Sequence, residues 1–201
     1  MTMANPTAAD RFWQVVLIVA TLAFCWLAMM IVHEAGHVLH ALGAGGGIRK
    51  VVLCPWALSR TDVSPNPAPC WIAWGGAVWG VGIPIAIWLA VRRAVPLYEY
   101  LAAFFAGFCC VANGAYMGAG ALVGAGDAAD LASHGAARWP LYVYGIAAVA
   151  AGLRFWHGLG PHFGLGASRG RVNRRAACLM VGAAAAIVLW ECLCCEWFGD
   201  S

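Results

Sequence analysis

Long apolar runs separated by short polar or glycine-rich stretches make up most of the chain. The first run, about 12–32, contains no charged side chain, and further runs cover about 71–91, 97–112, 139–153 and 176–190. A helix needs about 20 apolar residues to cross a bilayer. The pattern predicts an all-α polytopic membrane protein with about five transmembrane helices, in which the short run 139–153 is either a tilted span or an interfacial helix.

The segment between the first two runs has a different composition. Residues 48–53 and 56–63 are β-prone, Pro55 separates them, and alternating prolines follow. This pattern predicts a small hairpin associated with the membrane surface after the first helix, with an irregular loop as the alternative. Cys54 and Cys70 lie in or beside this segment and are candidates for a disulfide.

The composition supports a membrane protein and excludes some functions. Hydrophobic residues make up 63% of the chain and charged residues only 10%, whereas soluble domains carry nearer a quarter charged residues. The formal charge of +3 comes without a basic tract, so we expect no nucleic-acid partner. Most of the nine cysteines lie in apolar runs, where thiols behave as small hydrophobes, so no catalytic cysteine is predicted.

The sequence His33-Glu34-Ala35-Gly36-His37 ends the first apolar run. In a helix the two imidazoles are four residues apart and lie on one face, which is the spacing that holds one zinc ion. Glu34 lies close enough to take a proton from a zinc-bound water. Polar groups inside a bilayer are costly and usually functional, so a metal site is favoured over helix packing by the histidines or a chance match.

A catalytic zinc has three protein ligands, so a third must come from elsewhere in the chain. Asp127 follows the third apolar run, on the same side as the motif, after a glycine-rich stretch, 113–126, that could return toward the first helix. We predict Asp127 as the third ligand, with Asp130 as the next candidate. His40 lies one turn beyond His37 and is assigned to packing or to support of the ligands. Loop positions are expected for Asp62, His134, His157 and His162.

About residues 12–131 resemble the site-2 protease family of intramembrane zinc metalloproteases (metallopeptidase family fifty). The motif helix matches the family's His-Glu-x-Gly-His pattern, because Gly36 precedes the second histidine. Ala41 and Gly45 then follow as the small residue and the glycine of that pattern. The match is therefore more specific than the bare zinc motif.

Two later segments extend the resemblance. Residues 48–63 stand where the family places a membrane-associated β element that holds substrate in an extended form. Asn113 and Gly126-Asp127 resemble the family's Asn-x-x-Pro…Leu-Asp-Gly segment. The proline is missing here, the spacing is longer, and Gly-Asp-Ala replaces Leu-Asp-Gly.

The resemblance implies a zinc metalloendopeptidase that hydrolyses peptide bonds in or near transmembrane segments of membrane-protein substrates. In such an enzyme His33, His37 and Asp127 would bind Zn²⁺. Glu34 would act as the general base, and Asn113 would help to bind substrate. The expected partners are the lipid bilayer and a membrane protein with a transmembrane helix, and the sequence gives no indication of an oligomeric state.

The resemblance also divides the chain. Residues 12–131 would form a core-only protease and residues 132–201 additional C-terminal helices, within one integral membrane domain of residues 1–201. We expect a bacterial-type cell membrane, and the arginine distribution is compatible with both orientations. A non-proteolytic membrane protein that binds a metal for sensing, structure or transport is the alternative, and a membrane peptidase for soluble substrates is a third reading.

Overall fold

The computed structural model describes residues 5–197, and this part of the chain is almost entirely helical. A two-stranded hairpin and short 3-10 turns connect the helices. The elements are α1 (Ala8–Gly43), β1 (Ile48–Val52), β2 (Arg60–Val63), α2 (Pro69–Ala94), α3 (Glu99–Val123), α4 (Gly126–Ser133), α5 (Trp139–Trp156) and α6 (Arg174–Trp197). The helical architecture expected from the apolar runs is confirmed.

Four helices in the described range are long and apolar enough to cross a membrane. They are Ala8–Gly43, Pro69–Ala94, Pro96–Val123 and Arg174–Leu193. The 18-residue helix α5 is not one of these four. Length and composition therefore support four of the five spans expected from the sequence.

The helices pack around α1 and α3. α1 contacts α2 and α6, and α3 lies between α2 and α5. α1 and α6 begin on the same side, where Arg174 Nη2 lies 3.6 Å from Asp10 Oδ1. α3 and α5 run antiparallel, since Gly107 lies against Trp156 and Gly118 against Gly145. This arrangement brings the second half of α1 between α2 and α3.

The hairpin predicted after the first helix is confirmed. β1 and β2 pair antiparallel, with Val51 opposite Thr61 and Val52 opposite Arg60. Both strands contact α1, so the hairpin lies beside the helix that carries the His-Glu motif. Cys70 is a free cysteine, and the Cys54–Cys70 disulfide considered from the sequence is therefore not formed.

The end of the third apolar run was placed too early. α3 does not stop near residue 112 but continues to Val123, through most of the glycine-rich stretch. The small residues there allow close approach of a neighbouring helix: Gly114 and Gly118 lie directly against Gly145 of α5. The chain turns only at residues 124–125, and α4 begins at Gly126.

Candidate metal centre

The structure brings His33, His37 and Asp127 together. The two Nε2 atoms lie 3.2 Å apart, and Asp127 Oδ2 is 3.1 Å from His33 Nε2 and 3.3 Å from His37 Nε2. The histidines stand one turn apart on α1, as their spacing predicts. Asp127 lies in the first turn of α4, and the turn before it directs the carboxylate back onto α1.

The three ligand atoms form a triangle of the size that a metal ion requires. In a tetrahedral site with bonds of about 2.0–2.1 Å, neighbouring ligand atoms are about 3.3 Å apart. All three observed distances agree with this within a few tenths of an ångström. Both histidines are buried and Asp127 is partly buried. The group could hold one metal ion, and no second group of three His, Cys, Asp or Glu side chains with this geometry occurs within residues 5–193.

The other nitrogen of each imidazole is also engaged. His33 Nδ1 lies 2.7 Å from Asn113 Oδ1, and His37 Nδ1 lies 2.8 Å from the Ile72 carbonyl oxygen. When Nδ1–H donates to these oxygens, the Nε2 lone pairs are free to bind a metal, and each ring is held in orientation. The site thus has the outer hydrogen bonds typical of metal-binding histidines.

Asn113 borders the apolar cavity and also contacts a metal-ligand candidate. Its Nδ2 donates to the Cys109 carbonyl at 2.9 Å, which directs Oδ1 toward His33. Its amide oxygen therefore lies against a metal-ligand candidate, and the contact of Asn113 with substrate stays a prediction. The Ile72 carbonyl was not foreseen at all, because a main-chain acceptor leaves no signal in a sequence.

α2 passes directly over the ligand atoms at Gly76. A Cβ atom at this position would lie 2.5 Å from Nε2 of His33 and 2.5 Å from Nε2 of His37. Real side chains do not tolerate such contacts with buried groups that cannot move away. Glycine at position 76 therefore leaves the space that the ligand triangle needs.

Replacing Gly76 by alanine is expected to lower metal affinity by about tenfold or more. The added methyl group would displace the histidine ligands, and even loss of an outer hydrogen bond to a ligand lowers metal affinity by about 10–100-fold. The measurement is metal content of the purified protein by mass spectrometry, with competition by a chelator. The control is Gly82→Ala on the same helix, where the nearest atom, in Trp79, is 3.9 Å from the added Cβ. Equal affinity of the Gly76 variant and the wild type would contradict this prediction.

The carboxylate of Asp127 is ionised. Burial by itself would raise its pKa, but when the rings of His33 and His37 are protonated and bind no metal, their Nε2–H groups donate to the carboxylate and lower the pKa to about 2. Its main-chain N–H donates to the Tyr116 hydroxyl oxygen at 3.2 Å. Asp127 therefore offers a charged, fixed oxygen at neutral pH, as a metal ligand must.

Glu34 is buried beside the ligands, with 3% of its surface exposed. The Thr61 hydroxyl of β2 donates to Glu34 Oε2 at 2.6 Å. The other carboxylate oxygen has no such protein donor among the described residues. The hairpin thus orients the Glu34 carboxylate beside the ligand triangle, through a contact that no pattern in the sequence predicts.

Two cavities in the described part of the chain meet at His33 and Glu34. One, of about 310 Å³, has mainly apolar walls. The other, of about 740 Å³, is mainly polar and reaches His37 and Asp127. Tyr116 of α3 borders both cavities. The apolar walls are formed by Trp26, Met29, Met30, Leu58 and Ala112.

The remaining candidates lie outside the ligand triangle. His40 stacks on Trp71 with ring centroids 4.0 Å apart, and its Nδ1 lies 2.6 Å from the Trp71 carbonyl oxygen. It therefore has the packing role expected for it. Asp130 lies one turn after Asp127 on α4 and borders the polar cavity. Other positions are Asp62 in β2 beside Arg60, His134 at the end of α4, His157 at the end of α5, and His162 stacked on Tyr100.

Comparison with known proteins assigns no family to the chain. No family model, curated protein or solved structure matches it. The resemblance to site-2 proteases therefore depends on the motif residues, and a functional assignment depends on the geometry of the site.

Proposed function

We propose that the chain is an intramembrane zinc metalloprotease similar to the site-2 proteases. The observation that supports this most is the ligand triangle of His33, His37 and Asp127 with a buried carboxylate, Glu34, beside it on α1. Two histidines and one carboxylate leave one coordination position for water or substrate, which is the ligand number of catalytic rather than structural zinc sites.

A membrane location is supported by the outer surfaces of the helices. Large apolar side chains are exposed along all the long helices, among them Val19, Val78, Leu122, Ile146 and Leu189. Apolar surface of this extent marks contact with a membrane or another protein. α5 packs antiparallel against α3 from Trp156 to Gly145, which supports placing α5 in the same layer as α3, as a fifth span.

The residues of the site would divide the reaction between them. When bound, zinc supplies an acidified water and polarises the substrate carbonyl. Glu34 takes the proton of the attacking water and gives it to the leaving amide nitrogen as the C–N bond breaks. Because Thr61 holds Oε2, the proton is received at Oε1. His33, His37 and Asp127 would hold the zinc ion in place.

The two cavities suggest how a substrate lies in the site. An extended peptide passing over Glu34 would place apolar side chains in the smaller cavity and polar ones in the larger. Such a peptide matches the end of a transmembrane segment, which must unwind first because its peptide bonds are shielded within the helix. The β2 strand beside Glu34 could pair with the unwound segment.

Removal of the metal is the direct test of this function. The purified protein in liposomes, given a single-span model substrate, should cleave it; a chelator should stop cleavage and added Zn²⁺ should restore it. Cleavage that continues in the chelator would contradict a metalloprotease. A protein that binds zinc tightly but cleaves no membrane substrate would favour the alternative, a non-proteolytic metal-binding membrane protein.

Thr61→Val is expected to lower kcat by about tenfold to a hundredfold, because a hydrogen bond to a charged group is worth about 1.5–3 kcal/mol. Valine keeps the branched shape but cannot donate to Glu34. Thr61→Ser is the matched control and should keep most of the activity. Steady-state kinetics measures the change, and metal content should be the same in all three proteins. Full activity in the valine variant would show that Thr61 does not orient the base.

A further inference from the structure

Tyr116 is a polar side chain of the site to which neither the motif nor the resemblance assigns a role. Its ring meets the His33 ring edge to face, with centroids 5.6 Å apart. It lies one turn after Asn113 on α3, borders both cavities and is 43% exposed. The Tyr116 side chain therefore borders the space in which a substrate would lie.

The position of the hydroxyl is set by α4. Its oxygen accepts a hydrogen bond from the Asp127 main-chain N–H at 3.2 Å. The phenol is therefore hydrogen-bonded to the same residue that supplies the third ligand. Gly126 makes room for it, because a Cβ atom there would overlap the Tyr116 hydroxyl. The phenol oxygen is thus fixed by the main chain of Asp127, the residue whose side chain supplies the third ligand.

The hydrogen of this hydroxyl has no partner among the described side chains. A phenol can accept and donate at once, yet among residues 5–193 no acceptor is found for the Tyr116 O–H. The side-chain amide of Asn113, a neutral donor on the same helix, is held between His33 and the Cys109 carbonyl. Ser59 also borders both cavities, from the hairpin loop, but Tyr116 is the neutral donor that is hydrogen-bonded to the main chain of a ligand residue.

We propose that Tyr116 is a catalytic residue whose hydroxyl stabilises the oxyanion formed during peptide hydrolysis; this inference rests on the proposed function. When the water oxygen bonds to the carbonyl carbon, the π electrons move onto the carbonyl oxygen and Glu34 takes the water proton. Tyr116 donates a hydrogen bond to that oxygen without giving up its proton. The electrons then return, the C–N bond breaks and Glu34 protonates the nitrogen.

The effect of such a donor is specific to the transition state. Removing one oxyanion donor typically lowers kcat by about 10²–10³-fold. Tyr116→Phe should therefore lower kcat by about this factor while KM changes less than about threefold, since the ground-state carbonyl gains little from the donor. Metal content should not change, because the three ligand atoms are untouched.

The experiment compares wild type, Tyr116→Phe and the control Tyr142→Phe, whose hydroxyl donates to the Ala121 carbonyl at 3.3 Å. Each zinc-loaded protein is tested for cleavage of the single-span substrate and for binding of a phosphinic peptide, which carries a tetrahedral oxyanion. We expect Tyr116→Phe to bind the phosphinic peptide less tightly by about the factor lost in kcat. Tyr142→Phe should match the wild type.

Three outcomes are distinguishable, and each would contradict either the role of Tyr116 or the proposed function. Equal kcat and phosphinate affinity in Tyr116→Phe and wild type would remove Tyr116 from catalysis and leave the proposed function intact. Loss of zinc from Tyr116→Phe would show that the hydroxyl only supports Asp127. A zinc-loaded wild type that neither cleaves the substrate nor binds the phosphinic peptide would contradict the proposed function itself.

Discussion

Glu34→Gln is expected to stop peptide hydrolysis while leaving the metal bound. Glutamine has the size of glutamate and can still accept the hydrogen bond from Thr61, so the local structure should persist. It cannot take a proton from water at neutral pH, and general acid–base catalysis contributes about 10²–10⁴-fold. Steady-state cleavage of a single-span substrate in liposomes should fall by at least this factor.

The control for this change is Glu99→Gln at the start of α3. Glu99 accepts a hydrogen bond from Trp88 Nε1 at 3.2 Å and borders neither of the two cavities, so its loss should not affect turnover. Metal content should be equal in both variants and the wild type. Undiminished cleavage by the Glu34 variant, with metal content unchanged, would show that another group activates the water and that the proteolytic mechanism is wrong.

Asp127→Ala is expected to lower metal affinity by more than about a hundredfold, because loss of an outer hydrogen bond to a ligand already costs 10–100-fold. The variant removes one corner of the triangle and leaves only two imidazoles. It also leaves Nε2 of His33 and His37 without their nearest oxygen. Zinc content after purification, followed by titration against a chelator of known affinity, measures the loss.

Asp130→Ala is the matched control on the same helix. Asp130 lies one turn after Asp127 and also borders the polar cavity, but it is not part of the ligand triangle. Its removal should leave zinc content unchanged. If the Asp130 variant lost zinc and the Asp127 variant kept it, the third ligand would have been assigned to the wrong carboxylate.

The glycine-rich stretch shows where prediction from the sequence was limited. Residues 113–123, part of the glycine-rich stretch 113–126, were expected to lie beyond the end of the third helix. In the structure they continue α3, since Gly114 and Gly118 face Gly145 of α5 at close range. Whether a glycine ends a helix or admits a neighbour depends on the neighbour, which no local pattern describes.

Local patterns determined much of this protein. The apolar runs predicted the long helices, because helical hydrogen bonds form within a few residues and apolar length is read directly from composition. The four-residue spacing of His33 and His37 placed both imidazoles on one face of α1. The β-prone segments after that helix predicted the hairpin, and the position of Asp127 after the third run made it the first candidate for the third ligand.

Only the tertiary structure decided how these parts meet. Asp127 reaches the two histidines because α3 extends to Val123 and the following turn directs α4 back onto α1. Thr61 reaches Glu34, and Tyr116 lies against His33, across separations of 27 and 83 positions in the chain. Such contacts depend on which helix faces pack together, and packing is set by the joint shape of distant segments rather than by the periodicity of any one of them.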